Sequence, residues 1–373
     1  MLELFEYVAM VSWRQVVMWM IGGLLIYLAI KKEMEPSLLL PIGFGAIMVN
    51  LPLSGAITQI ENGVSEIGVL DALFSFGIET ELFPLLLFIG IGAMIDFAPL
   101  LANPKLMIFG AAAQFGIFFT LCVAALLGFE LKDAASIAII GAADGPTSIF
   151  VANYFRSNYL GAIIIVAYSY MALVPIIQPP VIRFCTTKKE RMIHMSYTDV
   201  EVSKATRILF PIVITIVSGL VAPKSVALVG FLMFGNLLRE CGVLNSLSET
   251  AQKVLANLIT LLLGLTVAAR MQAELFLTGE TLLILALGLF AFVFDTVGGI
   301  MIAKLYNLFA REKINPMIGA AGISAFPMSA RVVHKIGQQE DHGNHLLMHA
   351  IGVNVSGQLA SVIAGGLILK LFG

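Results

Sequence analysis

The residues best equipped for chemistry fall in two stretches of otherwise apolar text. The first is Gly141-Ala142-Ala143-Asp144-Gly145-Pro146-Thr147-Ser148, set between the apolar runs Ala134–Ile140 and Ile149–Ala152. A carboxylate at membrane depth is costly and needs a partner or a task. Gly145-Pro146 cannot continue a regular helix, because Pro146 lacks a donor and Gly145 prefers turns. Backbone freed in this way is tolerated in a membrane only where it lines a cavity or is buried in protein. The plainer reading makes Asp144 a cap on the second half of a kinked helix. The second stretch runs from Asn315 to Arg331 and carries Gly319, Ser324, Pro316, Pro327 and Ser329. Amide, hydroxyl and freed carbonyl oxygens are the hard ligands a small alkali cation requires. With the charge of Asp144, the set at Asp144, Asn315 and Ser324 suits Na⁺ better than a transition metal. Arg331 offers a planar fork that can hold a carboxylate, or else is a basic residue at a helix end on the inner face.

Lesser candidates surround these. Tyr170 lies mid-way along an apolar run and is either a satisfied core tyrosine or a proton donor beside Asp144. Asp295 is a second intramembrane carboxylate. Asp96 and Arg270 read as helix-end residues. His334, His342, His345 and His349 cluster with Glu340 and Asp341, but their spacing fits no standard metal motif. Cys122, Cys185 and Cys241 lie far apart, and Cys122 reads as a buried helix residue.

The elements that must position these groups are membrane helices. Of 373 residues, 59% are hydrophobic and only 12% charged, against about a quarter charged in soluble domains. A net charge of -2 gives no reason to expect a nucleic-acid partner. Nucleotide-binding glycine motifs and haem, iron–sulfur and zinc signatures are absent. The apolar run Val16–Ile30 is followed by Lys31-Lys32-Glu33 without a small-residue cleavage site, so no cleavable signal peptide is expected. Apolar spans are expected at Ser12–Ile30, Pro36–Leu53, Phe83–Leu101, Leu106–Phe129, Leu160–Pro180, Ile208–Val221, Ser225–Leu238, Val254–Ala269, Thr281–Ala303 and Leu346–Leu371. The acidic segment Ser54–Leu82 could form an interfacial amphipathic helix.

The two halves repeat one plan. Ile140-Gly141-Ala142-Ala143-Asp144 matches Ile318-Gly319-Ala320-Ala321-Gly322, Gly43-Phe44 matches Gly230-Phe231, Gly90 matches Gly264, and Asn50 lies near Asn236 in register. Charge parity then chooses the topology. If each interrupted segment is a re-entrant hairpin, each half has five crossings. Lys31-Lys32, the basic linker Val181–Arg207 and the cluster Lys304, Arg311, Lys313 then share the inner face. The expected fold is an all-α polytopic membrane protein of two inverted five-span repeats, each with a re-entrant or broken-helix hairpin meeting near the midplane. The expected units are residues 1–185, a basic cytoplasmic linker 186–207, and residues 208–373. Paired broken helices in an inverted repeat point to a transporter-type site. That pattern alone also describes sodium-coupled secondary transporters and Na⁺/H⁺ antiporters.

The segments Gly141–Phe150, Phe83–Lys105, Gly110–Phe119 and Asn315–Arg331 resemble the β subunit of the biotin-dependent, Na⁺-translocating decarboxylases, and the resemblance spans nearly the whole chain. That family serves oxaloacetate, methylmalonyl-CoA, glutaconyl-CoA and malonate decarboxylases. The resemblance implies that the chain decarboxylates carboxybiotin and drives Na⁺ outward while a proton is consumed. Biotin is then supplied by a partner subunit and is not attached to this chain. The implied partners are a biotin carrier protein, a carboxyltransferase α subunit and small membrane-anchoring subunits, with a homo-oligomer inside the complex. The implied location is the inner (cytoplasmic) cell membrane, in a multi-pass arrangement. The family's functional aspartate falls on Asp144, its tyrosine on Tyr170, and its second-hairpin set on Asn315, Gly319, Ser324 and Arg331. Asp144, Tyr170 and Arg331 take the catalytic roles by this likeness, and Arg331 the cofactor-binding one. The chain is short for an oxaloacetate-type subunit, which inclines the reading to the acyl-CoA members.

Overall fold

The structure is a computed structural model and describes residues 10–61, 64–195 and 201–373. Parts of the acidic loop, of the basic linker and of the expected N-terminal unit therefore lie outside the described residues. The chain is a polytopic helical membrane protein. Seven described helices are long and apolar enough to cross a membrane. In order, the first half holds α1 (Trp13–Lys31), α2 (Pro36–Val49), α3 (Leu82–Met94), α4 (Met107–Ala113), α5 (Phe115–Leu126), α6 (Leu131–Ala138), α7 (Gly145–Tyr154) and α8 (Leu160–Cys185). The second half holds α9 (Lys204–Val221), α10 (Val226–Glu240), α11 (Ala256–Ala268), α12 (Gly279–Phe309), α13 (Met328–Glu340) and α14 (Leu347–Phe372).

Local sequence sets several boundaries. Ser12 and Gln15 form a reciprocal capping box that starts α1. The expected end of the fifth span at Pro180 is overrun, and α8 continues to Cys185 through Pro175, Pro179 and Pro180. Pro179 is half-buried there, whereas Pro175 and Pro180 are exposed. The Ser54–Leu82 segment is not a single amphipathic helix. It forms a two-stranded antiparallel pair, Gln59–Glu61 with Val64–Glu66, followed by a short helix Val69–Phe74. That helix continues to Glu79 and bends by 63° into α3. Cys122, expected to be buried, is exposed on the outer side of α5. The face of that helix which packs inward carries Gly116, Ile117, Thr120 and Ala124 instead.

The halves are interlaced rather than side by side. Helix α3 lies on α10, where Cβ atoms added at Gly92 and Gly235 would strike the backbones at Leu232 and Ile89 respectively. Small residues permit this approach, which is how membrane helices gain packing without a hydrophobic drive. Asn50, closing α2, donates to the carbonyl of Met271 at 2.7 Å and accepts from the Ala273 N–H at 2.8 Å, both beyond α11. Asn236 in α10 donates to the carbonyl of Ile95 at 3.1 Å, just beyond α3. Each half therefore ties a side-chain amide to the end of a helix in the other half. Asp96 pairs with Arg239 at 3.3 Å, and Arg270 pairs with Glu79 at 3.9 Å.

Both interrupted segments are hairpins closed at their bases. At the first base the carboxylate of Asp133 accepts from Ser157 Oγ at 2.6 Å and from the Asn158 N–H at 3.2 Å, joining the start of α6 to the end of α7. At the second, Asn315 and Asn344 both donate to the carbonyl of Arg191, at 2.8 and 2.9 Å. Arg191 also pairs with Glu340 at 2.8 Å. Helix α8 starts beside the first base and ends shortly before Arg191. Its 26 residues rise about 39 Å at ~1.5 Å each, close to the full thickness of a bilayer. The two hairpin bases consequently sit at opposite ends of one membrane-length helix.

Candidate functional site

The first hairpin turns because its residues cannot stay helical. Helix α6 tightens into a 3₁₀ turn at Ile139–Ala142, and Ala143 takes a left-handed conformation with φ 52°. Asp144 is extended and caps α7, its Oδ1 accepting from the Thr147 N–H at 3.2 Å. Pro146 sits in the first turn of α7, where a missing N–H costs nothing. The second hairpin enters as a 3₁₀ segment, Pro316–Gly322, capped by Asn315, then turns through residues 323–327 into α13.

The hairpin tips touch. The N–H of Ser324 donates to the carbonyl of Ala142 at 2.8 Å. Both tips lie against one face of α14. Asn354 donates to the carbonyl of Ile323 at 2.6 Å, and Ser324 Oγ donates to the carbonyl of Gly357 at 3.2 Å. Gln358 Nε2 and Ser361 Oγ donate to Asp144 Oδ2 at 3.0 and 2.8 Å. Asp144 is thus a helix cap through one oxygen and the acceptor of two side-chain donors through the other. Its residue is 3% exposed.

Two further oxygens, Tyr168 OH and Asn354 Oδ1, are buried and lack a hydrogen-bond partner among the described residues, and the Thr147 side chain lies against the Asp144 carboxylate. Tyr168 is 1% exposed, and its ring covers Gly145, where an added Cβ would lie 2.5 Å from Cζ. A buried polar group without a partner carries a desolvation cost, and buried polar atoms are normally satisfied. A buried carboxylate with hydroxyl and amide oxygens close by in a membrane core is a donor set that suits a small hard cation.

The sequence candidates are not all gathered here. Asp144 and Ser324 meet at the tips. Gly319 lies on the entering limb of the second hairpin and packs backbone to backbone on Gly299 of α12. Asn315 lies at the base of that hairpin, where its oxygen accepts from the Met317 N–H at 3.1 Å and its nitrogen binds the carbonyls of Arg191 and Ile193. Tyr170 faces α12, donates to the carbonyl of Leu285 at 2.5 Å and lies against Gly288. The tyrosine over the Asp144 turn is Tyr168. Arg331 is in the first turn of α13, exposed, with no ion pair within 4 Å among the described residues. Glu35, in the loop before α2, is near it. Burial pushes the Glu35 carboxyl up, and the Arg331 guanidinium pulls against that shift. Among the described residues no group of three or more His, Cys, Asp or Glu side chains is placed to hold a metal ion, so the histidine cluster forms no such site.

Gln358 and Ser361 escaped the sequence reading. A usable signal was present: Asn354, Gln358 and Ser361 recur at i, i+4 and i+7 in an apolar span, which puts three polar groups on one helix face.

Two touching hairpins built around a buried aspartate can now be set beside known proteins. Residues 14–372 match the family described as the Na⁺-transporting oxaloacetate decarboxylase beta subunit. The chain belongs to this family. It is 47% identical to the methylmalonyl-CoA decarboxylase subunit beta of Propionigenium modestum, covering 96% of this chain and 95% of that one. It is 48% identical to the glutaconyl-CoA decarboxylase subunit beta of Acidaminococcus fermentans, covering 97% and 94%. Identity to the oxaloacetate decarboxylase beta chain of Klebsiella pneumoniae is 43%, covering 95% and 94%. A beta subunit of this family is one part of a sodium-transporting decarboxylase complex.

Proposed function

We propose that this chain decarboxylates carboxybiotin presented by a biotin carrier protein and couples the loss of CO₂ to outward Na⁺ transport, with one proton consumed. The observation that carries the reading is the buried Asp144 carboxylate at the meeting point of two broken helices, held by Gln358 and Ser361, with the unpartnered Tyr168 hydroxyl over the same turn. An isolated carboxylate there is too costly to remain uncompensated. Na⁺ is the cargo, bound through Asp144 with Ser324 at the tip of the second hairpin. Asn315 and Gly319 contribute by holding that hairpin in place, the former at its base and the latter against α12.

Arg331 is the cofactor-binding residue in this scheme. It is exposed and without a close ion pair, on the hairpin whose base adjoins the basic linker, so it is open to a carboxylate brought by a soluble partner. An ion pair alone would favour the bound carboxylate and oppose its loss, so the site must favour the transition state more than the ground state. Tyr170, on the helix that links the two hairpin bases, is assigned to the proton relay. The carboxyltransferase α subunit, the biotin carrier and small membrane-anchoring subunits complete the complex, in the inner cell membrane. Higher identity to the two acyl-CoA relatives inclines the complex to an acyl-CoA substrate.

Asp144→Asn in the assembled complex tests this. It should abolish Na⁺-dependent decarboxylation and Na⁺ uptake into proteoliposomes. Wild-type turnover with unchanged Na⁺ dependence would overturn the assignment.

A further inference from the structure

A second carboxylate in the membrane interior is left without a task. Asp295, in α12, is fully buried. Its Oδ1 accepts from the Ile117 N–H at 3.1 Å, in the first turn of α5. The same N–H also reaches the carbonyl of Gln114 at 3.2 Å, at the break between α4 and α5. The other oxygen, Oδ2, has no hydrogen-bond partner among the described residues. It lies against the first hairpin: a Cβ on Gly141 would be 2.8 Å from it and 2.7 Å from the Ala291 side chain. Gly141 is three residues before Asp144, so the turn that presents Asp144 to α14 rests on Asp295 from the other side.

We infer that Asp295 is a proton-binding site that is filled while the first hairpin is seated against α12. The positive charge must come from somewhere. Ionised, the carboxylate would face a dry contact with one oxygen unpaired, and such a group is not left uncompensated in a bilayer. Helices α4 and α5 and the segment Pro316–Gly322, which pack on α12, carry no charged residue; the other charged residues of α12 are Glu280 and Lys304 near its ends, Arg183 is near the end of α8, and Asp144 on the first hairpin is turned to α14. Na⁺ would need several further oxygens, whereas Oδ1 is taken by the Ile117 N–H and Oδ2 lies beside Gly141, which itself packs on Ala291. A proton needs only the one oxygen. The closeness of Gly141 links the proton to hairpin position. Ionisation in place would put an unpaired charge against the hairpin backbone, so loss of the proton favours lifting of the tip and water entry. This inference stands apart from the sodium assignment of Asp144, since the two carboxylates have separate partners.

The test is infrared spectroscopy of the purified chain in detergent, with Asp295→Asn and Asp144→Asn as comparison variants. Asparagine keeps an acceptor for the Ile117 N–H and the volume at Gly141. At neutral pH the wild type should show the carbonyl band of a protonated carboxylic acid. Asp295→Asn should lose that band, and Asp144→Asn should retain it. A wild type without the band, or an Asp295→Asn spectrum that still contains it, overturns the proposal. A band that appears only when Na⁺ is removed also overturns it, in favour of a sodium site. If Asp295→Asn does not fold, Gly141→Ala supplies a second reading. Its Cβ meets Oδ2 and should shift the band in frequency, and an unshifted band would count against the contact.

Discussion

Ser361→Ala isolates one contact of the proposed ion site. The hydroxyl donates to Asp144 Oδ2 at 2.8 Å and is fully buried, so water cannot replace it. Alanine removes one oxygen and leaves almost the same shape, and Gln358 still donates to the same carboxylate oxygen at 3.0 Å. A hydrogen bond to a charged group contributes about 1.5–3 kcal/mol, and ~1.4 kcal/mol is tenfold. The ionised carboxylate and any Na⁺ it holds therefore lose roughly ten- to a hundredfold in affinity. The assay is the Na⁺ concentration giving half-maximal decarboxylation by the reconstituted complex, read together with the rate at saturating Na⁺. The midpoint should rise within that range while the saturated rate recovers most of its wild-type value. Ser356→Ala is the control. Its hydroxyl donates to the Met107 carbonyl at 3.2 Å, away from Asp144, and the midpoint should move less than about twofold. A Ser361→Ala midpoint that stays with the control would refute the argument that Asp144 Oδ2 is part of the ion site.

Further outcomes follow from the same geometry. Tyr170→Phe should impair decarboxylation and leave Na⁺ binding near wild type, whereas Tyr168→Phe should weaken Na⁺ binding; equal effects on both readouts would show that the two tyrosines do not divide these roles. Cysteines placed at Asn153 and Lys335 should react with impermeant thiol reagents from opposite faces of the membrane, because they lie on hairpins whose bases are at opposite ends of α8; labelling of both from one face would contradict the arrangement. For Glu190, burial pushes the carboxyl up, but the backbone of Thr187 and the amine of Lys304 outweigh it and hold the group below its ordinary value of 4.5. A depressed folded value means that its stabilising contribution is complete above 4.5 and is lost as pH falls through the lower folded value. Lys304→Gln removes the partner at 3.1 Å, so the difference in melting temperature between wild type and variant should be present at neutral pH and vanish in acid; a difference independent of pH would sink this account.

Much of the site was legible because its signals are local. Gly145-Pro146 after a carboxylate must break a helix, and it does so at Asp144. Asn315-Pro316 opens the second hairpin for the same reason. What the sequence hid is which parts of the chain face each other. Asn315 has the right chemistry for a cation but caps the base of its hairpin, because its amide matches carbonyls that the loop after α8 leaves free. Tyr168 and Tyr170 are two residues apart on a helix and so point to different neighbours, one to Gly145 and the other to α12. The pattern of apolar residues cannot choose between them. The strand pair at Gln59–Glu66 was hidden because its strands are only three residues each, too short for alternation to register.

The interlacing of the halves has a consequence for biosynthesis. Gly92 is shaped to receive the backbone of Leu232, and Asn50 is closed by Met271 and Ala273. When α3 leaves the ribosome, its partner α10 is still about 140 residues away, or roughly 7–30 s at ordinary elongation rates. During that interval the glycine face of α3 has only lipid or an insertion factor to cover it. Residues 1–185 synthesised alone should therefore insert yet stay susceptible to protease. Supplying residues 186–373 as a separate chain should restore protection, because the contacts that complete each half are held by the other.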